Sequence, residues 1–232
     1  MAINEFGQEI GEQLNNVQKG ILPQVTALEG QTVKVVKLEQ EHIEGLYDVY
    51  GPSSPLENWT YLPIEPFTDF TAYQQFMEDN VKSQDPYYLV ILDNKTGEAL
   101  GTFSLMRIDL QNRVAEMGWV VYSERLKRTR MATEAQFLVM EYVFEDMHCR
   151  RYEWKCDHLN QPSRQAALRL GFKYEGTFRQ AAIYKGRNRD TDWFSMLDQE
   201  WPENKKRFTK WLSDDNFTAS GEQKVALQKI NV

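Results

Sequence analysis

Cysteine and histidine are scarce in this chain, at two and three residues in 232. Cys149 and Cys156 fall in a stretch that reads as one strand, so their side chains are expected on opposite faces as free thiols. His42, His148 and His158 are scattered and make no metal-ligand spacing with them, so no metal is expected. Positive charge is also in deficit: 27 basic against 34 acidic residues give a net charge of −7. That balance gives no support to a general attraction for nucleic acid or anionic membranes, and any anion must be held locally. No apolar run approaches the roughly 20 residues needed to cross a bilayer, and the N-terminus lacks the basic-then-apolar pattern of a secretory leader, so a cytoplasmic location is expected. Against these absences stand 41% hydrophobic residues, with 6 Trp, 11 Tyr and 12 Phe, enough to build a core for one large domain.

Residues 1–30 are polar, with Ile10, Leu14, Val17, Ile21 and Leu22 in roughly helical spacing, and read as an N-terminal arm. The alternation from Thr32 to Leu38 predicts a strand, followed by a helix from Glu39 to about Tyr50. Pro52, Pro55, Pro63 and Pro66 make residues 51–67 a loop, which carries Trp59, Tyr61 and Phe67. A helix from about Thr68 should stop before Asp85–Pro86. Three strands follow at Tyr87–Leu92, Ala99–Ile108 and Val114–Tyr122, the first two as a hairpin. From Arg128 to Met147 the apolar period changes to three and four residues, predicting a long amphipathic helix. Tyr152, Trp154 and Cys156 alternate with Glu153, Lys155 and Asp157 on another strand. A helix from Gln161 to Leu170, halted by Gly171, precedes two strands on either side of a turn at Lys185–Asp190. A final helix reaches Leu212, and Ser213–Val232 reads as a mobile tail. The expected class is α/β (α+β), a mixed, mostly antiparallel sheet of about seven strands flanked by helices. The expected boundaries are 1–30 for the arm, 31–202 for the domain, and 203–232 for the last helix and tail.

The segment richest in chemistry is VVYSERLKRTRMATEAQ, residues 120–136, where a strand ends, a basic turn follows and a helix begins. Unpaired amides and the positive helix end converge at such a junction and suit a phosphate group, and Lys127, Arg128 and Arg130 add charge. From charge alone, a solvated basic loop fits equally well.

This junction resembles that of the GNAT superfamily, whose pattern Gln/Arg-x-x-Gly-x-Gly/Ala is met here by Lys127, Arg130 and Ala132, with the middle glycine missing. TRMATEA at 129–135 is similar to a variant in the branch of Rim-type ribosomal-protein N-terminal acetyltransferases. Asn160 and Ser163 in DHLNQPSRQAALRLGF, Glu175–Gly176, RDTDWFSMLDQEWP at 189–202 and WTYLPIEPF at 59–67 resemble that branch in the same order. The resemblance runs from about Thr32 to Pro202.

It implies an enzyme that takes acetyl-CoA as co-substrate, needs no metal, and passes the acetyl group to the primary amine of a small molecule, a polyamine or a protein N-terminus. The implied cofactor contacts are the backbone of Trp119, Val120 and Val121, the turn and helix start Lys127, Arg128, Thr129, Arg130, Met131, Ala132 and Thr133, and Asn160 and Ser163. Glu116 is the expected proton acceptor, with a solvent-facing or structural carboxylate as the alternative. Ser163 or Tyr184 is expected to return a proton to the leaving thiolate, while helix capping also accounts for Asn160 and Ser163. Ala181 and Ala182 stand where some Rim-type relatives carry a carboxylate. Trp59 and Tyr61 are expected either to line the acceptor pocket or to pack in the core. A CoA-binding module without turnover is the competing function. A nucleic-acid or membrane partner is not expected, and a homodimer is left open.

Overall fold

The computed structural model describes residues 2–232. Two short strands, β1 (Ala2–Ile3) and β2 (Glu9–Ile10), pair only with each other. The remaining strands are β3 (Ala27–Glu29), β4 (Val33–Lys37), β5 (Tyr87–Asp93), β6 (Ala99–Asp109), β7 (Val114–Tyr122), β8 (Arg151–Asp157), β9 (Lys173–Tyr184) and β10 (Arg187–Leu197). They form one eight-stranded sheet in the order β3, β4, β5, β6, β7, β8, β10, β9. Every neighbouring pair is antiparallel except β7 with β8. The helices are α1 (Ile43–Tyr50), α2 (Phe70–Lys82), α3 (Arg130–Glu141), α4 (Gln161–Leu170) and α5 (Trp201–Leu212).

Alternation in the strands divides the apolar side chains between two cores. Val33, Val35, Leu89, Ile91, Phe103, Ala115, Met117, Tyr152, Trp154 and Phe194 meet α3, α4 and α5 on one face. Val36, Tyr88, Val90 and Val121 meet α1 and α2 on the other. The parallel pair is made possible by α3, which carries the chain back between β7 and β8 as a crossover helix. Helix boundaries follow local chemistry. The Asp69 carboxylate accepts the Ala72 amide at 2.7 Å to start α2, and Gly171, at φ 104°, closes α4 in the left-handed region open to glycine.

Several expectations need correction. The eighth strand is Ala27–Glu29, inside the segment read as the arm. Its three residues are too few to show a period. The rest of the arm forms no helix, because an isolated helix needs a packing partner and Ile3, Phe6 and Val17 remain exposed. Its backbone bonds instead to the domain, Gly20 N–H to Leu110 O at 2.8 Å and Gln24 N–H to the Tyr142 hydroxyl at 2.8 Å. Cys149 precedes β8 rather than sharing it, and both cysteines are free and buried in the same core. Burial pushes their thiols up, to about 12 for Cys149 and about 11 for Cys156. The segment after α5 is docked rather than a loose tail. Leu227 is fully buried in the α3 core, and the Asn216 side-chain amide donates to Trp211 O at 3.0 Å. A few spaced apolar residues in a polar stretch suffice for this. No helix among the described residues is long and apolar enough to cross a membrane.

Leu227→Ala should therefore lower unfolding free energy by about 2–5 kcal/mol in denaturant titration, the cost of a buried leucine cavity. A loss below about 0.5 kcal/mol, typical of surface substitutions, would mean the segment does not dock.

Candidate functional site

β7 and β8 hydrogen-bond only from Val114 opposite Arg151 to Met117 opposite Trp154. Beyond that point the strands part, and β7 continues for five more residues paired to β6 alone. Just past the split β7 carries a bulge: Gly118 faces Ser104 and Val121 faces Thr102, leaving one residue too many on β7, with Trp119 at φ 48°. Met106 packs close over Gly118, so that a side chain at 118 would make the methionine shift. Trp119, Val120 and Val121 thus form one wall of a cleft and expose a strand edge to it.

The turn after β7 closes the end of this cleft. Arg128 takes φ 60°, and Thr129 caps α3 by accepting the Ala132 amide at 3.2 Å. The N–H groups of Arg128, Arg130 and Met131 make no hydrogen bond among the described residues. Such amides at a helix start fit a diphosphate. Thr133 turns inward, its hydroxyl accepting from Arg169 at 3.0 Å.

The basic side chains of the turn are not equivalent. Lys127 bonds Glu124 at 2.7 Å and Asn58 Oδ1. Arg130 turns away from the cleft. Its guanidinium reaches Asp214 at 2.8 Å, Leu212 O and Gln31, and lies over the Phe217 ring at 4.5 Å. Only its backbone amide is available to a ligand. Glu134, three per cent exposed, accepts the Gln31 and Thr32 amides at 2.6 and 2.8 Å, tying α3 to the start of β4.

Across the cleft, Asn160 caps α4 by accepting the Ser163 amide at 3.1 Å, and the Ser163 hydroxyl accepts Trp154 Nε1–H at 3.0 Å. The Tyr184 hydroxyl donates to Asp157 at 2.8 Å. Burial, with this bond and the carboxylate charge, pushes the Tyr184 phenol up to about 12, so it keeps its proton at neutral pH. Asp157 also holds the β8–α4 turn through the Leu159 amide at 2.9 Å. Asn160, Ser163 and Tyr184 therefore gather at one turn.

Glu116 lies on the sheet face away from α3, buried, with Oε2 bonded to Lys155 at 2.6 Å and to Arg107 at 3.2 Å. Burial raises its carboxyl above the ordinary carboxylate range, while Lys155 and Arg107 pull the other way. Of the two readings of Trp59, packing holds. It is fully buried, donates to Ser54 Oγ at 2.9 Å and stands edge-on to Tyr50. Tyr61 is part-exposed and donates to Leu159 O at 3.0 Å.

Their loop forms a strap over the cleft. Asn58 bonds Glu124 at 2.9 Å beside the phosphate turn, while Lys185 Nζ reaches Trp59 O at 2.7 Å and Arg187 reaches Thr60 O at 2.7 Å from the β9–β10 hairpin. Leu56, Thr60, Glu65, Lys185 and Arg187 line a recess of about 360 Å3 at that junction. Lys155, Asp157, Lys185 and Arg187 were not singled out by sequence. For Lys155 and Asp157 the one available signal was their shared polar face on an otherwise apolar strand.

Arg130→Ala should act on stability, lowering unfolding free energy by about 1–3 kcal/mol through the partners it leaves unpaired. Calorimetric melting checks this, and an unchanged midpoint would mean the guanidinium is not holding residues 212–217.

Residues 33–173 match the model of the acetyltransferase (GNAT) domain. A solved GCN5-related N-acetyltransferase from Brucella melitensis superposes with a TM-score of 0.90 at 40% identity, covering 93% of this chain and 98% of that one. The uncharacterized N-acetyltransferase p20 of Bacillus licheniformis is 30% identical over 145 residues, 61% of this chain and 80% of its own length. The ribosomal-protein-serine acetyltransferase of Escherichia coli K12 is 24% identical over 175 residues, 72% of this chain and 93% of that protein. A parted parallel strand pair, an amide-rich turn opening the crossover helix, and a family match spanning more than half the chain lead to one assignment: the protein belongs to the GNAT acetyltransferases and is an acyltransferase.

Proposed function

We propose that the protein is an acetyl-CoA-dependent N-acetyltransferase acting on a primary amine, of a small molecule or a protein N-terminus, by direct attack with both partners bound. The observation that carries this reading is the parting of β7 from β8 beside the free amides of α3. A strand edge without a partner suits an extended amide-bearing arm such as pantetheine, and the helix start suits its diphosphate. Acetyl-CoA supplies the activated acyl group. No group of His, Cys, Asp and Glu side chains among the described residues is arranged to hold a metal ion. In this reading residues 31–202 are the catalytic unit, flanked by the arm 1–30 and by 203–232.

The chain's residues then divide the work. The amides of Arg128, Arg130 and Met131 and the Lys127 ammonium hold phosphate, while the Thr129 cap and the inward Thr133 fix that turn and Ala132 keeps its surface open. Asn160 orients the pantetheine arm from the α4 side. The β7 backbone at Trp119, Val120 and Val121 steadies charge developing on the carbonyl oxygen. Glu116 accepts the acceptor's proton, since an ammonium cannot attack. Ser163 or Tyr184 supplies the proton that the leaving sulfur needs, and the raised phenol of Tyr184 keeps one available. Trp59 supports the strap by packing, and Tyr61 faces the acceptor side. The strap favours an amine on a slender stem. Much of the rate comes from holding both partners together.

The test is free thiol release from acetyl-CoA against a panel of polyamines, small amines and peptides with free N-termini. Acceptor-dependent release is expected. Binding of the coenzyme without release on any acceptor would favour a module without turnover, and acceptor-independent release would mean hydrolysis. Glu116→Gln should lower kcat about 10²- to 10⁴-fold, the usual worth of a positioned base. An unchanged rate would remove Glu116 from the mechanism.

A further inference from the structure

Lys155 is the first residue of β8 beyond the last pair with β7, and its side chain is eight per cent exposed. Its ammonium bonds Glu116 Oε2 at 2.6 Å and Glu153 Oε2 at 2.9 Å, and lies 3.6 Å from the centre of the Trp193 ring. The chain of contacts continues outward. Glu153 accepts from Arg151 at 2.7 Å, Arg151 holds Glu175 at 2.5 Å, and Glu175 accepts the Ser195 hydroxyl at 2.7 Å. Lys155 is thus enclosed by two carboxylates and an aromatic face. Swinging out to solvent would cost it all three contacts, and the one left behind at Glu116 would be a buried charge.

The charged groups facing Glu116 are Arg107 from β6 and Lys155 and Glu153 from β8, with the buried Tyr152 phenol as a further titratable neighbour. Arg107 is 59% exposed and 3.2 Å away, so solvent screens much of its effect. Lys155 is buried and closer. Both cations bind the same carboxylate oxygen, and Glu116 Oε1 makes no hydrogen bond among the described residues. A carboxyl taken out of water tends to hold its proton, and a protonated carboxyl cannot take another.

We propose that Lys155 is the positioning residue of the reaction: it keeps the buried Glu116 ionised by binding Oε2 and leaves Oε1 free to receive the acceptor's proton, while Glu153 and Trp193 hold the ammonium in place. This inference rests on the reading of Glu116 as the proton acceptor.

The experiment is the pH profile of kcat/KM with acetyl-CoA and the best acceptor found, for the native chain and for Glu116→Gln, Lys155→Met, Lys155→Gln, Lys155→Arg and Arg107→Gln. The limb on which activity rises from acid pH reports Glu116. Without the cation its proton is held more tightly, so in Lys155→Met that limb should move up by about 1–3 pH units, with activity recovering at high pH. Lys155→Arg should restore most of the native position, and Arg107→Gln should move it less than Lys155→Met. Lys155→Gln removes the charge but keeps a hydrogen-bond donor beside Glu116, so it should move the limb the same way and decides the matter if Lys155→Met fails to fold. A uniform loss at all pH values in Lys155→Met, or an unmoved limb in both Lys155→Met and Lys155→Gln, would overturn the inference. The two readings fail differently. A full rate with an intact limb in Glu116→Gln removes the proton acceptor itself, whereas loss of the limb there, with no movement on changing Lys155, removes only the role of Lys155.

Discussion

The arrangement depends on the limited pairing of β7 with β8. Parallel strands joined by a crossover helix could stay bonded along their whole length, and here they stop after Met117 and Trp154. The cause is local. A residue too many at Trp119 puts a bulge in β7 just past its last pair with β8, and Met106 packs close over Gly118 beside it. Once the strands diverge, the start of α3 lies at the end of the gap, and its amides face whatever enters. Backbone that would be costly to leave unpaired in a core becomes useful where it lines a cleft.

The two faces of the parted strands carry different chemistry. On the α4 side, Ser163, Trp154 and Cys156 lie beside the apolar core. On the other side, the side chains of Glu116, Glu153 and Lys155 form a charged group largely out of solvent, closed by the Trp193 ring. Buried ion pairs of this kind add little to stability, because desolvation offsets the attraction. Glu153 illustrates the balance: burial opposes its charge, yet bonds from Arg151 and Lys155 hold it below the ordinary carboxylate range.

Periodicity made the framework legible. The long helix, the hairpin of β5 and β6, and the alternation of β8 could be read from spacing because each is set by local burial on one face. Linked motifs added the family. Side-chain roles were legible only where they are local, as with Asn160 and the Ser163 amide three residues on. Lys127 and Arg130 look alike in sequence, yet one lies beside the strap and the other points to Asp214, and that difference is decided by residues more than sixty positions away. Lys155 was hidden for the same reason, since its meaning depends on a carboxylate in another strand. Three residues at Ala27–Glu29 and the isolated Leu227 are too short a pattern to register, although both are packed.

The tie between Arg130 and residues 212–217 has a bearing on biosynthesis. A chain leaves the ribosome from its N-terminal end, so the turn at 127–133 emerges well before the partners that hold its first helical residue. The contacts of the Arg130 guanidinium cannot form until Leu212, Asp214 and Phe217 have been translated. In the proposed function, the anion-holding turn is therefore braced only late in the protein's synthesis, and a half-made copy lacks that brace.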